Sequence, residues 1–362
     1  MRVARLPVTT DRNPYQRLLY AHLADHGVAL VGHGRLSEDW LADHRDEVDL
    51  LHVHWRLDRL VDDDEPLGPP RVWTPSTAVE AAARLGAQLG RAADLGYTIA
   101  WTVHEIAQLG GSEPTLEHLA AVELGRHADV VLTHNQVATA RVVDLGLAPA
   151  ERVRTVPLGH YVDAHGHPAA LTRTDLGIDD RATVFLAFGH QRQDKALDLL
   201  HRAFERLDRS DVVLVVAGDH EQPGALLTTD DPRIIQQGHV PDPQVAALHQ
   251  LADVAVLARG YEWTPSSLVL ALSHGCPVIA ADLASVAEHG GPGVFPFHPG
   301  DAADLAATMA RVADDAAERR IRGAAGQGFV RQVTWDDTAR ATADAFAEAL
   351  ARATTAARRS GP

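Results

Sequence analysis

Short, continuously apolar runs alternate with longer segments of helical periodicity along the whole chain. Runs such as VFLAF, VVLVVAG and VAVLA are typical of strands that are covered on both faces. Strands that alternate with helices predict βαβ units and parallel sheets. The predicted strands cover residues 2–7, 28–32, 49–54, 97–104, 129–134 and 152–158 in the first half, and 182–189, 211–218, 233–238, 253–258, 277–281 and 293–297 in the second.

Capping residues mark the helix ends. Asn13 suits an N-cap and Pro14 suits the first helical position, while Gly27 is placed to end the last turn. These residues predict a helix over 14–26. Two further helices are predicted over 77–95 and 334–351.

The two sets of six strands predict two successive α/β domains, for which 362 residues are sufficient. The polar stretch 159–174 is the expected connection between them. The predicted parts are an N-terminal domain over 1–165, a C-terminal domain over 166–330, a helix over 331–351 that packs back on the N-terminal domain, and a disordered tail over 352–362.

Composition limits the partners and the compartment. The formal net charge is −16, and an acidic surface opposes binding to nucleic acid and to anionic bilayers. The single cysteine, Cys276, permits no internal disulfide. The start MRVARLPVTT turns polar too early for a signal peptide, and no apolar run approaches the roughly 20 residues of a membrane span. We therefore expect a cytoplasmic protein that binds no nucleic acid and is not stably inserted in a membrane.

A candidate anion site follows the strand VFLAFG. Gly189, Arg192 and Lys195 lie there, before a helix that begins near Lys195, which is the only lysine of the chain. A helix N-terminus presents free N–H groups, and a guanidinium binds phosphate in a bidentate manner. The alternative is an Arg/Lys pair on a solvated loop, in a composition that favours arginine over lysine.

A second candidate follows the strand VAVLA. Glu262 lies in the loop, and Ser266 and Ser267 stand at the start of a helix that stops at Gly275. The first N–H groups of this helix can bind phosphate, and the carboxylate of Glu262 can accept hydrogen bonds from sugar hydroxyls. The alternative is an ordinary helix cap with a surface glutamate.

Polar residues at three successive strand ends form a third candidate. They are His52 and His54, which share one face of their strand, His104 and Glu105, and His134 and Asn135. Because the chain has 21 histidines, some fall at strand ends by chance. We expect a functional role for His104 and a structural role for His52 and His134.

Several other classes of binding and catalytic site are excluded because their sequence motifs are absent. The chain has no phosphate-binding G-x-x-x-x-G-K-[ST], no G-x-G-x-x-G after its first strand and no G-x-S-x-G. No His/Asp/Cys spacing matches a known metal cage, so we expect no metal.

The order and spacing of these segments resemble the GT-B glycosyltransferases, most nearly glycosyltransferase family 4 and its β-mannosyltransferase-like relatives. EWTPSSLVLALSHGCPVIA resembles the family's glutamate loop and helix, and FGHQRQDKALDLL resembles its arginine/lysine diphosphate segment, with a shorter spacing. VRTVPLGHY, LLHVHW and IAWTVHE resemble its interdomain segment and two of its strand ends. The resemblance covers nearly the whole chain. It implies an α/β GT-B fold, in which two Rossmann-like doubly wound parallel-sheet domains face each other across a cleft.

The resemblance also implies residue roles. Arg192 and Lys195 hold the diphosphate beside Gly189, and Glu262 and His104 lie near the donor sugar. The remaining implied contacts are the backbone N–H groups of Ser266, Ser267 and Leu268 for phosphate, and His239 and Val240 for the nucleotide base. For an inverting reaction the candidate bases are Glu105, His104 and Asp11, in that order. A retaining reaction needs no separate base.

Two positions depart from the family pattern. Leu270 replaces the second glutamate, which would hold the ribose diol, and Ala196 replaces a glycine beside Lys195. The first departure leaves open how the ribose is held and whether the reaction retains or inverts configuration.

The expected function is transfer of a sugar from a nucleoside-diphosphate sugar to a soluble small-molecule or natural-product acceptor, as in secondary metabolism, by a monomer or homodimer without a cofactor. The resemblance favours GDP over UDP or dTDP in the donor. The N-terminal domain is expected to bind the acceptor and the C-terminal domain the donor. The alternatives are a GT-B sugar-nucleotide 2-epimerase and a non-catalytic binding module.

Overall fold

The computed structural model describes residues 1–7, 13–54, 60, 73–106, 115–165, 169–190, 196–219, 227 and 229–360. Contacts divide the chain into two units, Met1–Leu158 with Trp335–Pro362, and Gly159–Thr334. Each unit is built around one sheet of six parallel strands. The predicted class, two Rossmann-like parallel-sheet domains, is confirmed.

The sheet of the first unit contains β1 (Arg2–Leu6), β2 (Ala29–His33), β3 (Leu50–Val53), β4 (Thr98–Thr102), β5 (Val130–Thr133) and β6 (Val153–Thr155). Its order is β2-β1-β3-β4-β5-β6. The helices are α1 (Pro14–Leu23), α2 (Glu38–Asp43), α3 (Pro75–Asp94), α4 (Leu116–His127), α5 (Gln136–Asp144) and, at the end of the chain, α12 (Trp335–Ser360).

The sheet of the second unit contains β7 (Thr183–Phe188), β8 (Val212–Ala217), β9 (Ile234–Gln237), β10 (Val254–Leu257), β11 (Val278–Ala281) and β12 (Val294–Phe297). Its order is β12-β11-β10-β7-β8-β9. The helices are α6 (Leu197–Glu205), α7 (Asp242–Leu251), α8 (Ser266–Ser273), α9 (Ala284–Gly290), α10 (Ala302–Asp314) and α11 (Ala316–Val330).

The twelve strands predicted from apolar runs are confirmed. Each lies inside its predicted range, except that β2 extends one residue further, to His33. The start of α1 is also confirmed, since the side chain of Asn13 accepts the N–H of Tyr15 and Pro14 occupies the first turn. Helix α3 begins earlier than predicted, at Pro75, because the hydroxyl of Thr74 caps it.

The end of the chain differs from the prediction. Helix α12 continues to Ser360, whereas residues 352–362 are expected to be disordered. The added residues are mostly Ala and Arg, which are strong helix formers. This helix packs on α1 within the first unit: Trp335 lies edge-on to Tyr15, with 5.2 Å between ring centroids, and Asp336 Oδ1 lies 2.8 Å from His26 Nε2.

The stretch predicted to connect the domains belongs to the second unit from Gly159 onward. The N–H of Tyr161 donates to Ser273 Oγ at 2.9 Å, and that hydroxyl donates in turn to the carbonyl of Val269 in α8. Packing against this helix, which sequence reasoning did not include, therefore moves the boundary to Leu158.

Each sheet has one position at which the strand order reverses. In the first unit it lies between β1 and β3, and in the second between β7 and β10. Helices leave in opposite directions on the two sides of such a point, so a crevice opens at the carboxyl ends of the strands. The residues after these strands are therefore the first place to look for a ligand site in each unit.

Candidate functional site

A recess opens at the strand-order reversal of the second unit. It is partly open to solvent, and it is lined by the ends of β7 and β10 and by the first turn of α6. The residues around it are Ala187, Phe188, Leu197, Leu200, Val256, Leu257, Ala258, Arg259 and Glu262. We call it the switch-point recess. Two of its residues, Arg259 and Glu262, are charged in an otherwise apolar lining.

The first turn of α6 is fixed by burial of its apolar face. Leu200 and Phe204 are almost fully buried, and the ring of Phe204 lies edge-on to that of Phe185 in β7 at 6.4 Å. Full burial of one such side chain stabilises the fold by roughly 1.5–3 kcal/mol. The wall of the recess is thus part of the core rather than a loose loop.

Arg259 and Glu262 form a buried ion pair. Nε of Arg259 donates to Oε1 of Glu262 and Nη2 donates to Oε2, both at 2.9 Å. Their side chains are only 8% and 6% exposed. A carboxylate has about four acceptor positions, and this bidentate contact uses two of them.

The pair gives the predicted Glu262 a fixed orientation at the recess. The hydroxyl of Ser285 also donates to the carbonyl of Glu262 at 3.0 Å and holds the loop backbone. Sequence reasoning missed Arg259 as a site residue. The available signal was an arginine directly after a fully apolar strand and three residues before the candidate glutamate.

Two glycines bring the ends of β7 and β8 into close backbone contact. Gly189 and Gly218 have φ values of +120° and +132°, which favour glycine. A Cβ on Gly218 would overlap the carbonyl of Gly189, whose own N–H donates to Ala217 O at 3.0 Å. The predicted Gly189 thus lies in a backbone crossing beside the recess, and Gly218, which was not predicted, is required for it.

The predicted base-binding residues follow β9. His239 is more than half exposed, and its Nδ1 lies 3.2 Å from Oδ2 of Asp219, after β8. Val240 is buried, so its side chain packs in the unit and only its backbone is left for a ligand. Asp219 was not predicted. It orients the imidazole of His239 at this end of the sheet.

The start of α8 offers fewer donors than expected. The N–H of Ser266 donates to Thr264 O at 2.8 Å, and that of Leu268 donates to Pro265 O at 3.0 Å. Two of the three backbone groups assigned to phosphate are therefore already used within the loop and the first turn. The N–H of Ser267 is the third of the backbone groups predicted to bind phosphate. Leu270, at the position of the family's second glutamate, is buried in the helix.

The predicted diphosphate residues Arg192 and Lys195, and the candidate base Asp11, lie outside the described residues. Ala196 is described, and its φ of +52° makes it the one non-glycine residue with a positive φ in the described part of the chain. Left-handed backbone costs an alanine roughly 1–2 kcal/mol. The strain lies directly before α6, where the family resemblance places a glycine.

The first unit brings together four histidines at its carboxyl edge, His52, His54, His104 and His134, which we call the histidine cluster. The ring centroids of His54 and His104 are 5.6 Å apart, as are those of His104 and His134. His52 and His54 lie 3.9 Å apart. The sequence-based grouping of these strand ends is confirmed by these distances.

Aromatic side chains surround the histidine cluster. Tyr15, from α1, lies edge-on to His104 at 4.6 Å and to His134 at 5.3 Å. Phe346, from α12, lies edge-on to His52 at 4.9 Å. His104 retains partial exposure, whereas the other three rings are buried.

Burial keeps His52, His54 and His104 neutral. It lowers the pKa of His52 to about 3, with a smaller contribution from the neighbouring His134. Burial, followed by the neighbouring histidines, also holds the pKa values of His54 and His104 well below their ordinary range. Charging a buried ring would cost its hydration. No carboxylate is among the neighbours that affect the pKa values of these three histidines.

Two residues predicted at this edge have different roles. Asn135 is fully buried and caps α5, because its side chain accepts the N–H of Ala138 at 2.7 Å. Nδ1 of His134 donates to Val156 O at 3.1 Å, which agrees with a structural role for that histidine. Glu105, directly after His104, is partly exposed.

Two searches of the described residues have negative results. No group of three or more His, Cys, Asp or Glu side chains there could hold a metal ion. In the same residues, no helix combines the length and apolarity needed to cross a membrane.

The second unit is similar in sequence to known glycosyltransferases. Residues 182–315 match the family described as glycosyl transferases group 1. Glycogen synthase of Mycobacterium tuberculosis is 30% identical over 246 residues, which are 63% of this chain and 56% of that protein. D-inositol 3-phosphate glycosyltransferase of Thermobispora bispora is 25% identical over 287 residues, 71% of this chain and 66% of that protein. The chain thus spans little more than half the length of the glycogen synthase.

Comparison with solved structures shows the fold. Sucrose-phosphate synthase from Thermosynechococcus elongatus superposes with a TM-score of 0.73 at 15% identity, covering 97% of this chain and 99% of that one. HepE of Anabaena, solved with UDP and glucose, gives 0.68 at 16% identity, covering 97% and 100%. Identities this low carry over the architecture and leave the ligands to be argued from the residues.

Proposed function

We propose that this chain, which carries a glycosyl transferases group 1 domain within a GT-B fold, transfers a glycosyl group from a nucleoside-diphosphate sugar to a hydroxyl-bearing acceptor. The observation that carries the proposal is the position of the switch-point recess. It lies inside the matched range 182–315, at the strand-order reversal where such sheets bind nucleotides, and it presents the Arg259–Glu262 pair.

The reaction breaks the bond between C1 of the sugar and the diphosphate. Positive charge and N–H dipoles directed at the leaving phosphate lower the barrier. We assign this role to Arg192 and Lys195, with Ser267 at the start of α8 as a further donor. Glu262, oriented by Arg259, is assigned to the hydroxyls of the donor sugar.

The acceptor is assigned to the carboxyl edge of the first unit, near His104 and Glu105. Proton transfer from the acceptor hydroxyl goes to Glu105, to His104 or Asp11, or to the leaving phosphate, which corresponds to the inverting and retaining alternatives. A soluble small-molecule acceptor suits the net charge of −16, which opposes an anionic membrane surface. We propose no metal and no further cofactor for the transfer.

A thermal-shift panel tests donor binding. GDP, UDP, dTDP and ADP are compared, each alone and with its sugar conjugates, because a ligand that binds only the folded state raises the melting temperature. The sequence resemblance favours GDP, while the HepE structure contains UDP. No shift with any nucleotide would overturn the proposal. Conversion of UDP-GlcNAc without an acceptor would indicate the 2-epimerase instead.

The single lysine permits a second, residue-specific test. An amine-reactive reagent can label only Lys195 and the N-terminus, and peptide mass spectrometry separates the two. A diphosphate bound at Lys195 should protect it from the label, whereas the corresponding nucleoside without phosphates should not. Equal labelling with and without the nucleotide that shifts the melting temperature would contradict the role of Lys195.

Lys195→Ala should lower kcat/KM by about 100- to 1000-fold, the usual cost of removing one electrostatic stabiliser of a leaving group. The melting temperature should stay within about 1 °C of the parent. Arg202→Ala is the matched control, since Arg202 is an exposed cation on α6 that pairs with Asp198. A fully active Lys195→Ala enzyme would show that the only lysine reflects composition.

A further inference from the structure

Five side chains form one continuous line of hydrogen bonds at the carboxyl edge of the first unit. His52 Nε2 lies 2.8 Å from Thr102 Oγ1, and His52 Nδ1 lies 2.8 Å from the hydroxyl of Tyr20. The same hydroxyl lies 3.1 Å from His54 Nε2. His54 Nδ1 lies 3.3 Å from His104 Nε2 and completes the line.

A neutral imidazole donates through one nitrogen and accepts through the other, and a hydroxyl donates one proton. If the buried Tyr20 hydroxyl accepted from both histidines, its own proton would have no acceptor among the described residues, so Tyr20 donates to one of them and accepts from the other. Two arrangements of protons then remain, and once one link has a direction, all the others follow. In one arrangement the protons point from Thr102 toward His104, and in the other they point back toward Thr102.

Thr102 selects the direction. Its hydroxyl is buried, and within the described part of the chain its hydrogen-bond partner is His52 Nε2. If it accepted from His52, its own proton would be left buried without an acceptor there, at a cost of about 1–3 kcal/mol. The Thr102 hydroxyl therefore donates to His52 Nε2, and His52 Nδ1 donates to the oxygen of Tyr20.

The remaining links follow from the first two. The Tyr20 hydroxyl donates to His54 Nε2, and His54 Nδ1 donates to His104 Nε2. Because His104 accepts through Nε2, its own proton resides on Nδ1. The burial that lowers the pKa of each of these histidines keeps the three rings neutral, so each ring carries one proton, as the assignment above assumes.

We infer that this line fixes His104 as the tautomer protonated on Nδ1, so that its second ring nitrogen is a hydrogen-bond donor and not an acceptor, with Tyr20 and His54 as its positioning residues. The inference rests on the proposed function for the meaning of that donor. A donor suits a sugar oxygen or a developing negative charge. Its proton-accepting nitrogen is already used by His54, which moves the task of general base to Glu105, to Asp11 or to the leaving phosphate.

The tautomer can be measured without any substrate. Protein labelled with ¹⁵N at histidine gives long-range ¹H–¹⁵N correlation spectra that distinguish a protonated ring nitrogen from a bare one, and His104→Asn assigns the signals. At pH 7 the expected result is a protonated Nδ1 and a bare Nε2 for His104, and the same pattern for His54. A protonated Nε2 on His104 would overturn the inference.

Tyr20→Phe removes the central link and should turn the His104 signals into a mixture of both tautomers. Tyr97→Phe is the matched control: its hydroxyl is also buried and donates to Leu41 O at 2.7 Å, at the opposite end of β4. The control should keep the parent pattern. An unchanged His104 in folded Tyr20→Phe protein would overturn the inference.

Thr102→Val gives an independent variant if Tyr20→Phe does not fold. It removes the hydroxyl that selects the direction while keeping the shape, so the tautomers should again mix. Thr102→Ser should restore the parent pattern. No change of tautomer in folded Thr102→Val would contradict the assigned direction.

Kinetic measurements then test whether this line of hydrogen bonds contributes to sugar transfer. Tyr20→Phe should lower kcat by about tenfold, the lower end of the cost of losing an orienting partner, with little change in the KM of the donor. If the binding panel fails but the spectra show the expected tautomer, the proposed function is wrong and the inference on the line stands. If the reverse is found, the inference alone is wrong.

Discussion

The two units share one architecture but differ in the chemistry of their carboxyl edges. The first unit places neutral imidazoles and hydroxyls there, linked in a line from Thr102 to His104. The second places a buried ion pair, Arg259 with Glu262, and a contact between Asp219 and His239 around a close crossing of glycine backbone. The same sheet therefore supports either kind of edge, and the side chains after the strands decide which.

The difference follows from what burial demands of each kind of group. Neutral rings can be buried if each donor meets an acceptor, at little electrostatic cost. A buried charge requires a partner of opposite sign. This contrast agrees with the proposed assignment of the acceptor to the first edge and of the donor phosphates to the second.

The largest effect is expected from breaking the charged edge. Arg259→Ala leaves the carboxylate of Glu262 buried without its bidentate partner, and should lower the free energy of unfolding by about 3–5 kcal/mol. Urea denaturation followed by circular dichroism measures it. The double variant Arg259→Met, Glu262→Leu should recover much of the loss while remaining inactive.

The control for that prediction is an exposed pair. Arg202→Ala removes the contact with Asp198 on the surface of α6 and should cost less than about 1 kcal/mol. Equal losses for the two arginine variants would show that the Arg259–Glu262 pair gains nothing from its burial.

A smaller loss is expected from the glycine crossing of the second unit. Gly218→Ala places a Cβ against the carbonyl of Gly189, and should destabilise the chain by about 2–3 kcal/mol. Gly146→Ala, in the first unit, changes a glycine with a similar need for positive φ but with nothing near the added atom. It should cost about 1 kcal/mol, and a cost equal to that of Gly218→Ala would argue against the crossing.

Acid should first destabilise the carboxyl edge of the first unit, where the histidine cluster lies. The pKa of His52 is about 3 in the folded chain, below its ordinary value of 6.5. Between these values the unfolded chain binds more protons than the folded one, so the free energy of unfolding falls as the pH falls. The slope is at most about 1.4 kcal/mol per pH unit for each such histidine.

Hydrogen exchange at pH 7, 5 and 4 locates the effect. The first unit has His52, His54 and His104 with lowered pKa values, facing Tyr20, Thr102 and Phe346, with His134 beside them. The second unit has lowered pKa values at His160, His249 and His274, the last two at about 3 and 4. Because the three histidines of the first unit adjoin one another and would repel once charged, amides of β3 and β4 should lose protection before those of β7 and β8, and the opposite order would contradict the comparison.

The smallest effect is expected at the strained residue before α6. Ala196→Gly relieves a left-handed alanine but adds freedom to the unfolded chain, and the balance should stabilise the protein by about 0.5 kcal/mol. Thermal denaturation resolves such a change. A loss of activity together with the gain in stability would indicate that the strain positions the preceding segment.

Much of the fold was predictable because its signals are local. Apolar runs place every strand, and Asn13 with Pro14 places the start of α1. The disorder predicted after residue 351 was wrong, because the Ala and Arg residues there continue α12 to Ser360. The boundary between the units moved because it depends on a contact between Tyr161 and Ser273, which are 112 residues apart in sequence.

The sequence by itself determined the strands, the parallel architecture and the strand ends at which polar residues would gather. Only the tertiary structure decided how those residues are paired: that Glu262 meets Arg259, that Asn135 is a cap, and that Tyr20 joins His52 to His54. A run of apolar residues reports on burial position by position. A hydrogen bond between residues on different elements depends on ångström-scale distances, which are set by the packing of all the elements between them.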